Sequence, residues 1–97
     1  MATRHGYVYI MASKRNGTLY LGVTNDLRDR VTKHRQGIGS AFVKKYKVTM
    51  LVWFEEHALV ARAIQRETSL KRWPRKWKLA LIEKTNPEWR DLYFYIF

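Results

Sequence analysis

The stretch from Tyr7 to Val23, YVYIMASKRNGTLYLGV, decides how this chain is read. Asn16-Gly17 lies between two runs of alternating residues, and both residues tolerate positive φ, which is a strong hairpin signal. In a strand, successive side chains point to opposite faces of the sheet. Val8, Ile10, Leu19, Leu21 and Val23 therefore form one aliphatic face. Tyr7, Tyr9, Tyr20 and the side-chain-free Gly22 form the other. The aliphatic face reads as core. The second reads as a surface carrying phenol groups, bared at Gly22 where another group can approach the backbone.

Beyond the hairpin, Thr24-Asn25-Asp26 offers a helix N-cap, and Leu27, Arg30, Val31 and His34 follow at helical spacing. Gly37 and Gly39 close that helix. Ala41 to Lys47 reads as a basic connector. Val48 to Glu55 reads as the third strand, with Met50, Val52 and Phe54 on one face and Leu51 and Trp53 on the other. Helical spacing returns from Ala58 to Arg72. Pro74 suits the first turn of another helix, which carries Trp77 and Leu79 to Ile82. Asn86-Pro87 marks a last helix start before Trp89, Leu92 and an aromatic tail ending in Phe97. The order ββαβααα predicts an α/β fold, a small and mainly antiparallel three-stranded sheet flanked by helices.

Ninety-seven residues with 46% hydrophobic content suit one domain, residues 1–97, with a single modest core. The absence of cysteine excludes a disulfide scaffold, a thiolate nucleophile and a thiolate metal site. No apolar run approaches the ~20 residues of a membrane span. The N-terminus lacks the apolar core of a signal peptide, so a cytoplasmic protein is expected. A net charge of +11 calls for a polyanionic partner, because each phosphate neutralised releases counterions. Nucleic acid rather than a membrane is the expected partner. Candidate contacts are Lys44, Lys45 and Lys47 in the connector, and Lys71, Arg72, Arg75 and Lys76 beside Trp73 and Trp77. Cations interleaved with tryptophan suit phosphate contacts and base stacking. The helical context favours both tryptophans in the core, with the cations forming a phosphate-contacting face.

Three polar residues fall where the pattern asks for apolar ones. Arg30 and His34 are one turn apart on the face of Leu27 and Val31, so their heads can reach the same point. An arginine there must snorkel, find a partner or bind an anion. Glu67 lies three residues after Ile64 and three before Leu70, on an apolar stripe. A carboxylate in that position needs a cation such as Arg30, several donors, or a hard divalent metal such as Mg²⁺ or Mn²⁺. Asn86, before Pro87, reads first as a helix N-cap, although a capping amide can also touch a phosphate. Glu55-Glu56-His57 makes a poor metal cluster, since neighbours on a strand point apart.

With these residues in place, the chain resembles the GIY-YIG nuclease family, and within it the small stand-alone members described as excinuclease C-subunit-like. Tyr7-Val8-Tyr9 stands at the first motif and Tyr20-Leu21-Gly22 at the second. Arg30 and His34 match the following helix, Glu67 the helix after the third strand, and Asn86 the downstream asparagine. Tyr7 replaces the glycine of the first motif, Leu21 replaces an isoleucine, and Val23 stands where the repair-nuclease branch carries a lysine. The resemblance implies hydrolysis of a DNA phosphodiester with one Mg²⁺ or Mn²⁺ ion held by Glu67. It further implies that Tyr9 or Tyr20 positions or deprotonates water, that Arg30 stabilises charge on the phosphate, and that His34 assists by hydrogen bonding or proton transfer. A phenol can act as base only if its pKa of ~10 is lowered by such neighbours. Two other readings stay open: a nucleic-acid-binding module that does not cut, and a basic accessory protein that docks on a protein partner through its aromatic tail.

Overall fold

The computed structural model describes residues 5–96, so the very start of the chain and the Phe97 end of the aromatic tail lie outside the described residues. The hairpin forms as its sequence requires. β1 (Gly6–Ala12) and β2 (Leu19–Thr24) pair antiparallel around a turn in which Asn16 takes the left-handed φ of 57°. The Gly17 N–H donates to the Lys14 carbonyl at 2.9 Å, and the Ser13 N–H donates to the Thr18 carbonyl at 3.0 Å. The register sets Tyr9 opposite Gly22 and Met11 opposite Tyr20. β3 (Met50–His57) pairs antiparallel with the other side of β1, so the sheet order is β2-β1-β3.

The helices are α1 (Leu27–Arg35), α2 (Ala41–Tyr46), α3 (Val60–Lys71) and α4 (Arg75–Thr85), followed by a 3-10 turn at Leu92–Tyr95. This is the expected three-stranded antiparallel sheet flanked by helices. On its aliphatic face Val8, Ile10 and Ala12 pack with Val52, Trp53, Ala63 and Leu70 of α3, Ile82 of α4 and Trp89. The tyrosine face, expected to be a surface, is covered as well. Tyr9 and Met11 are buried there with Leu27 and Val31 of α1, Val43 of α2, Val48 and Leu51. Leu92, Tyr93 and Ile96 close over the same cluster.

Three local readings change. Residues 41–46 are helical rather than a connector: the Val43 N–H donates to Ser40 Oγ at 3.3 Å, and Val43 is buried against the sheet. Ser40 as cap, with Phe42, Val43 and Tyr46 at helical spacing, carried that signal beneath the lysines. In β3 a bulge lets Ile10 face Trp53 while Met11 faces Leu51, leaving Val52 as the extra residue. Val52 and Trp53 consequently both enter the aliphatic core, Leu51 enters the tyrosine side, and Phe54 meets Tyr7 edge-to-face at 6.5 Å.

Finally, no α-helix follows Pro87. Trp89 takes a φ of 55° and is buried. The Asp91 carboxylate caps the 3-10 turn by accepting from the Tyr93 N–H, accepts from the Leu51 N–H at 3.1 Å, and pairs with Arg35. That one side chain ties the C-terminal segment to β3 and α1. Among the described residues, no helix is long and apolar enough to cross a membrane.

Candidate active site

The Asp26 side chain caps α1, accepting from the Asp29 N–H at 3.0 Å. That start phases the helix so that Leu27, Val31 and His34 turn inward. His34 is fully buried, and its Nε2 shares a 2.8 Å hydrogen bond with Tyr9 Oη. Tyr20 stands edge-to-face on His34 with ring centroids 5.2 Å apart, and 6.3 Å from Tyr9. Phe42, brought in by α2, lies 6.0 Å from Tyr20 on its other side. The Tyr9 phenol ends at Gly22, where a Cβ would sit 2.6 Å from the phenol oxygen. Tyr9 itself therefore fills the space left bare on the edge strand.

The electrostatics converge on the same phenol. Burial pushes the Tyr9 hydroxyl well above the ordinary tyrosine value, Tyr20 adds to that, and so does the Glu67 carboxylate. Arg30 pulls it down through its charge and a hydrogen bond. The rise dominates, so Tyr9 is a neutral hydrogen-bonding phenol at neutral pH. Arg30 forms no ion pair with an acid among the described residues, which leaves its charge available to an anion. Glu67 lies on α3, which packs on the opposite face of the sheet, and its charge bears on the phenol from there. The Arg30–Glu67 bridge, one of the pairings the sequence left open, does not form. Instead the Glu67 side chain, 15% exposed, pairs at 3.3 Å with Lys71 one turn on, whose side chain is 57% exposed.

His34 is held neutral, its pKa lowered first by burial and then by Arg30. The sign of the consequence is fixed by linkage. Below the ordinary value of 6.5 the unfolded chain binds a proton that folded His34 refuses, so stability falls as pH drops through 6.5. Above that value neither state is charged and the contribution is level. Thermal melts from about pH 8 to 5 are expected to show this decline, and His34→Gln is expected to flatten it. A decline of equal slope in the variant would assign the effect elsewhere.

Residues 5–80 match the GIY-YIG catalytic domain. The chain belongs to the GIY-YIG family. It is similar to UPF0213 proteins of Staphylococcus saprophyticus and Staphylococcus aureus, each 35% identical over 80% of this chain and 94% of the relative. A UPF0213 protein of Bacillus pumilus is 32% identical over 88% of this chain and 87% of the relative. No solved structure matches.

GIY-YIG nucleases use divalent metal ions, and the residues here fit one. Among the described residues there is no cluster of three or more metal-binding side chains, so a site at Glu67 would rest on a single carboxylate. Hard cations such as Mg²⁺ accept that, taking waters and substrate phosphate for their remaining positions. The Glu67 carboxylate is partly exposed, and its one ion-pair partner is a solvated lysine that can swing away. The family's motif tyrosines, arginine and histidine are thus gathered in one place. Val23, at the position of the repair-branch lysine, turns instead toward the aliphatic core.

Asn86 departs from its expected role as a helix N-cap. It caps the C-terminus of α4, not the N-terminus of a later helix. Its amide donates to the Val52 carbonyl at 3.1 Å and the Arg90 carbonyl at 2.9 Å, and its oxygen accepts from the Arg90 N–H at 2.9 Å. Both amide hydrogens and the carbonyl hold the chain's last segment against β3. Asn86→Ala would remove three hydrogen bonds to backbone groups, the one to Val52 fully buried, and is expected to destabilise the fold by about 2–4 kcal/mol. Chemical denaturation measures that loss.

The expected nucleic-acid cations are exposed but not equivalent. Lys44, Lys45 and Lys47 belong to α2 and its cap, the element that carries Phe42 to Tyr20. Lys71 and Arg72 end α3 one turn past Glu67. Arg75 is engaged internally, donating to the Asn16 and Gly17 carbonyls at 2.8 and 2.7 Å and thereby clamping α4 to the hairpin turn. Lys76 follows on α4. Trp77, expected in the core, is 56% exposed, whereas Trp73 packs partly against the core. Trp89 is the tryptophan that fills the space beside α4.

Proposed function

We propose that this GIY-YIG protein is a metal-dependent endonuclease that hydrolyses phosphodiester bonds in DNA, selective for branched, flapped or single-stranded structures during repair or processing. One observation carries the reading: the Tyr9–His34 hydrogen bond, an Arg30 with no acidic partner among the described residues and the Glu67 carboxylate all act on one phenol. A divalent cation at Glu67 would supply Lewis-acid stabilisation of the phosphate charge. The side chains account for the rest. Arg30 faces the negative charge that grows on the phosphate as water adds. Tyr9, buried and protonated, is a fixed hydrogen-bonding group whose orientation His34 sets. Tyr20, half-buried beside it, has the access to solvent that a water-positioning phenol needs.

Arg30→Ala is expected to lower kcat by about 10²–10³-fold, the usual effect of removing one preorganised group from a developing oxyanion. Binding to the same DNA should weaken far less. The assay is cleavage of a panel of duplex, flap, branched and single-stranded DNA with Mg²⁺ or Mn²⁺. A variant that cuts at the wild-type rate would remove Arg30 from the chemistry. The rise in the Tyr9 pKa and the absence of a lysine at position 23 favour one rival, a binding module that keeps the fold and does not cut. Well-folded wild-type protein that binds DNA but cleaves no member of the panel would decide for it.

A further inference from the structure

Trp77 is large, apolar and more than half exposed, yet it lies on the most basic stretch of the chain. Between residues 71 and 78 there are five cations and no acid. The ring is not loose. Trp73 meets it edge-to-face at 5.8 Å, and Trp73 is itself packed against the aliphatic core. The Arg66 guanidinium covers Trp73 at 5.3 Å and is held there by Glu55, to which its Nε donates at 3.1 Å. Trp73 is thereby backed and occupied, and Trp77 is left as the accessible ring.

We infer that Trp77 is a stacking platform for an unpaired base of the DNA strand entering the candidate active site. An indole face attracts any nucleobase, because every base has a π-face, whereas a paired base inside a duplex cannot present one. The cations around it select the occupant. Lys71, Arg72 and Lys76 repel a basic protein surface and match the phosphates on either side of an unpaired base. Position also agrees. Lys71 pairs with Glu67 one helical turn away, about 5.4 Å along α3, and the tryptophans come directly after it. The inference rests on the nucleic-acid reading proposed above but not on cleavage, since stacking needs no metal and no reaction.

The test is binding of a fluorescein-labelled single-stranded DNA 20-mer and its duplex form in the presence of a chelator, with wild type, Trp77→Ala and Trp77→Phe. Trp77→Ala is expected to weaken single-strand binding about tenfold and to leave duplex binding unchanged. Trp77→Phe should retain most of the affinity. The salt dependence should keep its slope, because no cation is lost. Quenching of intrinsic fluorescence by the single strand should disappear in both variants. Equal affinity of wild type and Trp77→Ala for the single strand would overturn the platform, as would an equal loss on strand and duplex. Stacking without cleavage on any substrate would support the platform and remove only the nuclease reading. Cleavage by Trp77→Ala at the wild-type KM for single strands would remove only the platform.

Discussion

Glu67→Gln is expected to reduce metal-dependent DNA cleavage by at least about 10³-fold, equivalent to roughly 4 kcal/mol of transition-state stabilisation. The substitution keeps the size and shape of the side chain and removes its charge. What is lost is the one carboxylate that faces the Tyr9 phenol from α3. The fold should not suffer, since the ion pair removed among the described residues is with a largely exposed Lys71, and such pairs contribute about 0–1 kcal/mol. Isothermal titration with Mn²⁺ should show the heat of binding disappear with the activity, while DNA affinity in chelator stays at the wild-type level. Undiminished cleavage by a folded variant would remove Glu67 as the metal ligand.

Gly22→Ala should be nearly as damaging, by a steric route. The new Cβ would stand 2.6 Å from Tyr9 Oη and 2.7 Å from Cζ, distances that non-bonded atoms do not tolerate. The ring cannot retreat into empty space, because Tyr9 is fully buried and already 2.8 Å from His34 Nε2. Either the Tyr9–His34 hydrogen bond breaks or the hairpin shifts. Overpacking of this kind costs about 1–3 kcal/mol, and displacing a positioned group by ~1 Å can lower kcat about 10²-fold. In a domain of this size each kcal/mol corresponds to about 4–8 °C in Tm, so melting and cleavage assays should both register the change. A variant with unchanged Tm and kcat would mean that the phenol does not rest against Gly22 during turnover.

These two positions show how differently parts of the site could be read. Gly22 was visible as a gap in a strand, but its sequence neighbours say nothing of what fills the gap. The filler is Tyr9, directly across the strand pair, and only the β1–β2 register places it there. Glu67 was visible because a carboxylate breaks an apolar stripe. Its choice of Lys71 over Arg30 follows from α3 and α1 lying on opposite faces of the sheet.

The misread elements share a cause. Residues 41–46 carry two lysines, with Lys47 just beyond as a third, and the charge masks an amphipathic turn whose one buried residue is Val43. Trp53 and Phe54 changed faces because a bulge at Val52 offsets the alternation by one, and a bulge depends on both strands. Asn86 has the sequence of a cap for a helix after Pro87, yet its amide bonds Val52 on β3 and Arg90 in the closing segment. Trp77 and Trp89 are the same residue type, yet Trp77 on α4 stays exposed while Trp89, in the segment after α4, is buried in the core.

By itself the sequence determined the hairpin, the two-faced character of its strands, the helical spacing that joins Arg30 to His34, and the excess of positive charge. All of these are consequences of local periodicity, turn chemistry and composition, which act between residues close in the chain. Only the tertiary structure decided that the tyrosine face is buried, that Tyr9 bonds His34 and rests on Gly22, and that Asn86 is a clamp. It likewise decided that Trp77 stands in solvent. Those outcomes depend on which surfaces exclude water from one another, and residues tens of positions apart acquire that relation only when the helices close over both faces of the sheet.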